Sequence, residues 1–125
     1  MAYHGGVADD AAHDDAYTLF RSGTALLEGG DHHVAVLPLQ RACALEPDKA
    51  SVREALGRAL FHTQRYADAA QEFAAVTAVE PTNDFALFCL GRCLQQLGRD
   101  AEALPPLTQA AALQPGRADY RLYRD

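Results

Sequence analysis

The sequence predicts an all-α chain made of three repeated helical hairpins and a short C-terminal cap, and two observations predict it. Pro47, Pro81 and Pro115 follow one another at intervals of 34 residues, each closing an apolar, alanine-rich stretch: ACALEP, AVTAVEP and AAALQP. With those prolines in register, Gly23, Gly57 and Gly91 align. So do Leu26, Leu60 and Leu94; Ala35, Ala69 and Ala103; and Ala44, Ala78 and Ala112. The first and third units, taken from Ala16 and Asp84, share twelve identities in 34. A period of this length marks an architecture whose units cannot bury their apolar faces alone and do so by stacking.

Residues 1–14 are rich in Gly, Ala and Asp with little periodicity. They read as a flexible acidic leader, with Asp14 or Asp15 capping the first helix of a domain over residues 15–125. The repeats are 16–49, 50–83 and 84–117. Within the third, Leu87, Leu90, Gly91 and Leu94 form one apolar stripe at helical spacing, and Ala103, Leu107 and Ala110 form a second. Each unit is therefore a pair of helices, and small residues in the Gly and Ala columns let the two approach towards the short end of the usual ~8–10 Å between axes. Proline then removes a backbone donor and disfavours helix at the residue before it, so the second helix stops and the chain turns into the next unit.

One local rule is broken. Pro38 and the pair Pro105–Pro106 fall inside second helices at equivalent positions. A tolerated bend on an outer helix is expected; the alternative is a helix that begins just before the proline. Residues 118–125 open the first helix of a fourth unit and stop after about two turns, forming a cap with Tyr120, Leu122 and Tyr123 among its charges.

Composition excludes several classes of function. With 125 residues, 49% apolar and 22% charged, the chain suits one globular domain. A net charge of -6 argues against nucleic acid or an anionic membrane as partner, both of which need a cationic footprint. No basic start leads into an apolar core at the N-terminus, and no apolar run nears the ~20 residues of a membrane span, so a cytoplasmic protein is expected. Cys43, Cys89 and Cys93 are too few for a disulfide framework and suit a reducing compartment. Lys49 is the only lysine beside many arginines, which reads as codon bias in a GC-rich bacterial genome.

The columns resemble the tetratricopeptide repeat family. Its 34-residue helix-turn-helix unit carries small residues at the eighth, twentieth and twenty-seventh positions and proline at the thirty-second. Here these are Gly23, Ala35, Ala42 and Pro47; Gly57, Ala69, Val76 and Pro81; and Gly91, Ala103, Ala110 and Pro115. The third unit matches best. The second departs at Arg53, where the family has a large apolar residue. The resemblance implies a right-handed solenoid whose first helices line a concave groove, and hence a non-catalytic adaptor holding a peptide or protein segment there. Carried over, its groove positions give Tyr17, Phe20, Arg21, Thr24, Leu27 and Glu28; Ser51, Glu54, Ala55, Arg58, Phe61 and His62; and Phe85, Phe88, Cys89, Arg92, Gln95 and Gln96. Aromatic rings with interleaved Arg suit recognition, while some rings are also expected to pack between units. The carboxylate clamp by which some members hold cytosolic chaperones needs Lys, Asn and Arg where this chain has Phe20, Thr24, Ala55, Phe85 and Cys89, so it is absent.

Two alternatives accompany the adaptor: a secretion-type chaperone, and a homodimeric scaffold assembling through Tyr120, Leu122 and Tyr123. Cys89, Cys93 and His62 could begin a metal site, but no fourth ligand is evident, so small side chains in the packing seam are favoured and no metal or cofactor is expected. His32 and His33 follow Asp31 at an inter-helix turn, where a capping Asp and solvated imidazoles are expected. No phosphate loop, nucleophile elbow or acid-paired His suggests an enzyme.

Overall fold

The computed structural model describes the backbone of residues 4–125 and the side chains of residues 15–125. Among these residues there is no strand. The helices are α1 (His4–Glu28), α2 (His32–Leu45), α3 (Ala50–His62), α4 (Tyr66–Val79), α5 (Asp84–Gln96), α6 (Asp100–Leu113) and α7 (Ala118–Arg124). Each helix packs on the next, and α1 also meets α3. The architecture is three hairpins in a row with α7 laid on the last.

The acidic leader expected over residues 1–14 lies outside the residues whose side chains are described. From His4 its backbone belongs to α1, so the helix begins upstream and neither Asp14 nor Asp15 is its N-cap. An existing helix extends at the cost of one residue's ordering per hydrogen bond, without a new nucleus, and this alanine-containing segment has no proline to stop it.

Three equivalent stops are copies of one turn. Glu46, Glu80 and Gln114 end α2, α4 and α6 with φ of -133°, -128° and -131°, and each donates its N–H to the carbonyl four residues back, of Ala42, Val76 and Ala110. The turn inside each hairpin also recurs. Gly30, Gln64 and Gly98 have φ of +85°, +64° and +76°, and the following N–H of Asp31, Arg65 or Arg99 bonds back to Leu26, Leu60 or Leu94 over 2.8 Å. Only glycine enters this region without steric cost, so Gln64 stands out.

Gly23, Gly57 and Gly91 mark the closest approaches within the hairpins. A Cβ on Gly23 would lie 2.5 Å from Leu39 Cγ, one on Gly57 2.9 Å from the Phe73 ring, and one on Gly91 would meet Leu107 in the same way. Missing side chains on the first helix thus admit a large one from the second. Ala35, Ala42, Ala69, Val76, Ala103 and Ala110 are buried between them. Ala44, Ala78 and Ala112 are exposed, so that column reflects helix propensity, in which alanine ranks first, more than packing.

Pro38 and Pro105–Pro106 sit well inside α2 and α6, which start at His32 and Asp100, so the late-start alternative does not hold. Arg53, the misfit in the second unit, reaches out of the seam. Its Nε donates to the Pro47 carbonyl at 2.6 Å and its Nη1 to Glu72 at 2.9 Å. Arg121, at the same repeat position in α7, donates to the carbonyl of Pro115. At these two sites a guanidinium braces the turn where Leu19 and Leu87 supply apolar side chains elsewhere.

A concave recess between α3, α5 and α7

The groove positions divide into two recesses. In the first repeat, Tyr17 is 60% exposed with the Arg21 guanidinium 5.8 Å from its ring centre. Tyr17, Phe20 and Ser51 border a small hollow of about 170 Å³ with Glu46, Lys49 and Val52. Thr24 turns its hydroxyl to the carbonyls of Phe20 and Arg21. Leu27 is only 4% exposed and belongs to the core, so it offers nothing to a ligand. Glu28 is exposed but borders neither recess, and Ala55 is buried.

The larger recess, about 430 Å³, lies between the second and third repeats. Arg58, Phe61 and His62 of α3 face Phe85, Phe88, Cys89 and Arg92 of α5, with Phe73 behind and Asp119 and Tyr123 of α7 at one end. The rings in it are not equally free. Phe88 stacks on Tyr120 at 4.6 Å and leans on Tyr123 at 5.7 Å, so part of it packs between units; Phe85 stays more than one-third exposed. Phe61 meets Tyr66 edge-on at 5.2 Å.

The polar groups also differ. Arg92 lies 3.9 Å from the Tyr123 ring centre and donates to Gln95 Oε1 at 2.9 Å. Gln95 donates in turn to the Tyr123 carbonyl at 2.7 Å, fastening α7, while Gln96 is exposed. Glu54 accepts from Asn83 Nδ2 at 3.1 Å. Asn83 also caps α5 by accepting the Ala86 N–H, the only side-chain N-cap among helices α2 to α7.

Asp31, expected to cap α2, stands at the N-cap without a side-chain bond. His32 departs from expectation as well. Rather than being solvated, it is half-buried and stacked on His62, with ring centres 4.1 Å apart at 15°. Its Nδ1 is buried without a hydrogen-bond partner among the described residues. The proton affinity of His62 is lowered by desolvation, then by the neighbouring charge of His32 and that of Arg58. His33 is exposed.

Cys43, Cys89 and Cys93 are free. Burial pushes all three thiols up, Cys93 to about 12, so they stay protonated at neutral pH and are poor nucleophiles. Among the described residues no three His, Cys, Asp or Glu side chains gather as a metal-binding group.

Asp119 and Tyr123 are the recess residues that sequence reasoning passed over. A signal for them existed: they occupy the second and sixth positions of the incomplete fourth unit, where Phe85 and Cys89 stand in the third. Phe73 carried no such signal, because it comes from a second helix.

A tetratricopeptide repeat family model matches residues 20–84 and 65–118. Among solved structures, the chain is similar to MamA MSR-1 C2, with 27% identity and a TM-score of 0.81 over 87% of this chain and 63% of that one. It is similar to MamA (41-end) from Desulfovibrio magneticus RS-1, with 23% identity and a TM-score of 0.83 over 87% and 62%. It is also similar to the first repeat domain of Spaghetti (RPAP3) bound to an HSP90 peptide, with 16% identity and a TM-score of 0.81 over 89% and 88%, a likeness of fold alone. The chain thus spans about three-fifths of the length of these two MamA chains. Comparison with curated proteins returned no match.

Proposed function

Because the chain belongs to the tetratricopeptide repeat family, we propose that it is a non-catalytic adaptor that binds a peptide or protein segment along its concave face. Folds of this family are protein-interaction scaffolds. The observation that carries the finer reading is the recess between α3, α5 and α7, where Phe61 and Phe85 stand beside Arg58 and Arg92. Aromatic rings contribute buried area at low entropic cost and arginine contributes directional donors, the residue types that dominate binding hot spots. Three thiols without disulfides suit work in a reducing cytoplasm, and no described helix is long and apolar enough to cross a membrane.

The homodimer alternative loses one of its supports. Tyr120 is wholly buried, leaving Leu122, 70% exposed, and Tyr123 as the apolar groups of α7 that a second copy could cover. Sedimentation at several concentrations tests that reading, a monomer throughout removing it. A secretion-type chaperone would use the same concave face and differ in the nature of its cargo.

Photo-crosslinking in the producing cell tests the adaptor reading. A photoreactive residue at Tyr17 or Phe85 should yield protein adducts that one at the exposed outer position Leu37 does not. Adducts from Leu37 alone would move the binding face to the outer helices.

A further inference from the structure

We propose that the recess between α3 and α5 selects an acidic segment of a partner protein, with a ligand carboxylate on Arg58 and an adjacent apolar side chain among Phe61, Phe85 and Phe88. This rests on the concave-groove reading above and adds the chemistry of the occupant.

The carrying observation is a difference between the charged groups of the recess. Asp119 is occupied, receiving two hydrogen bonds from Arg117 at 3.1 and 2.8 Å. Glu54, at the neighbouring groove position, accepts from Asn83. Arg92 is held between the Tyr123 ring and Gln95. Arg58 is half-buried yet makes no hydrogen bond or ion pair among the described residues. A guanidinium carries five N–H donors in a planar fork that matches a carboxylate bidentately, and partial burial strips water from it without supplying a replacement. An anion seated there would supply one.

Complementarity points the same way. The chain as a whole carries a net charge of -6, so most of its surface repels an acidic partner. Two arginines, Arg58 and Arg92, converge in this recess, and the one carboxylate that lines it, Asp119, is already paired with Arg117. The surrounding rings make a neighbouring charged ligand residue costly and an apolar one favourable. A basic or purely apolar segment would leave Arg58 unpaired on binding.

Selection from a random heptapeptide display library on the immobilised full chain, at low salt, tests this. Enriched peptides should carry Asp or Glu beside Phe, Leu, Ile or Met. A synthetic copy of an enriched peptide should bind about ten- to a hundred-fold more weakly to Arg58→Gln, the loss expected for a charge-assisted bond. It should weaken similarly when its own carboxylate is changed to the amide, and Arg58→Lys should recover part of the loss. Because Arg58 makes no hydrogen bond or ion pair among the described residues, its variants should melt like the parent, and circular dichroism checks that they are folded. Neutral or basic winners, or acidic winners indifferent to Arg58→Gln, would overturn this inference while leaving the groove reading standing. Failure to enrich any sequence would overturn the groove reading and this inference with it.

Discussion

The hydroxyl of Tyr120 donates a hydrogen bond to Asp84 Oδ2 over 2.8 Å, joining the short α7 to the first residue of α5. Tyr120 is wholly buried, Arg117 lies 4.4 Å from its ring centre, and Phe88 stacks on the ring with centres 4.6 Å apart. A seven-residue helix has too few internal bonds to persist alone. This tyrosine, together with the Gln95 bond to the Tyr123 carbonyl, holds α7 in place and with it the end wall of the recess.

Tyr120→Phe keeps the ring and removes the donor, and should lower stability by about 1–2 kcal/mol. Tyr120→Ala should cost about 3–5 kcal/mol, as expected for losing a buried ring. Burial first, and then the bond to Asp84, pushes the phenol above its ordinary range. Its contribution is therefore complete below the unfolded pKa of about 10 and declines as pH rises beyond it. Urea unfolding of both variants checks the order, and equal stability of Tyr120→Phe and parent would show that the bond contributes nothing.

Gly57 bears on Phe73 across the central hairpin, where even a Cβ would come 2.9 Å from the ring. Gly57→Leu should destabilise the protein by about 1–3 kcal/mol or more through overpacking. The repeat is central and its core cluster runs from α1 to α5, so the loss should appear as one cooperative shift in melting temperature. A melt unchanged from the parent would contradict the packing.

Gln64 holds φ of +64° at the position where the other two hairpins have glycine, and its side chain is exposed. Gln64→Gly removes the strain of a side chain in the left-handed region, partly offset by added freedom in the unfolded chain. A gain of about 0.5–1 kcal/mol in denaturant unfolding is expected. Gln64→Ala, which keeps the Cβ, should show no such gain.

The His32–His62 stack joins the first hairpin to the second. Proton affinity at His62 is lowered in the folded chain, by desolvation first and then by His32 and Arg58. The sign follows: the unfolded histidine takes up its proton more readily, so stability is complete above the unfolded value of about 6.5 and falls as pH drops through the lowered one. Melting between neutral pH and pH 5 should show this loss, reduced in His62→Gln. Titration of His62 by NMR at or above the ordinary value would contradict it.

Some of this was legible because it repeats. A column of Gly23, Gly57 and Gly91, or three prolines at one interval, reports a constraint met three times, and helix identity, hairpin pairing and the turns all follow from local rules applied with a fixed period. Positions met once were harder to read. Leu27 appeared on the groove because its repeat position faces that way, but the first hairpin buries it. Arg53 looked like a flaw in a packing seam until its reach to Pro47 and Glu72 was visible. His32 looked like a solvated turn residue until the next hairpin brought His62 onto it.

The sequence by itself determined the all-α class, the three hairpins and their cap, because hydrophobic period, glycine and proline act within a single unit, while the resemblance to the repeat family implied which side chains to look for on a groove. Only the tertiary structure decided which of those side chains remain available. Phe88 and Arg92 are engaged by α7, Glu54 by Asn83, and Arg58 by none of the described residues. Those outcomes depend on how far apart successive units stand and where the incomplete fourth unit comes to rest. Such distances are set by packing between elements remote in sequence, and no local pattern encodes them.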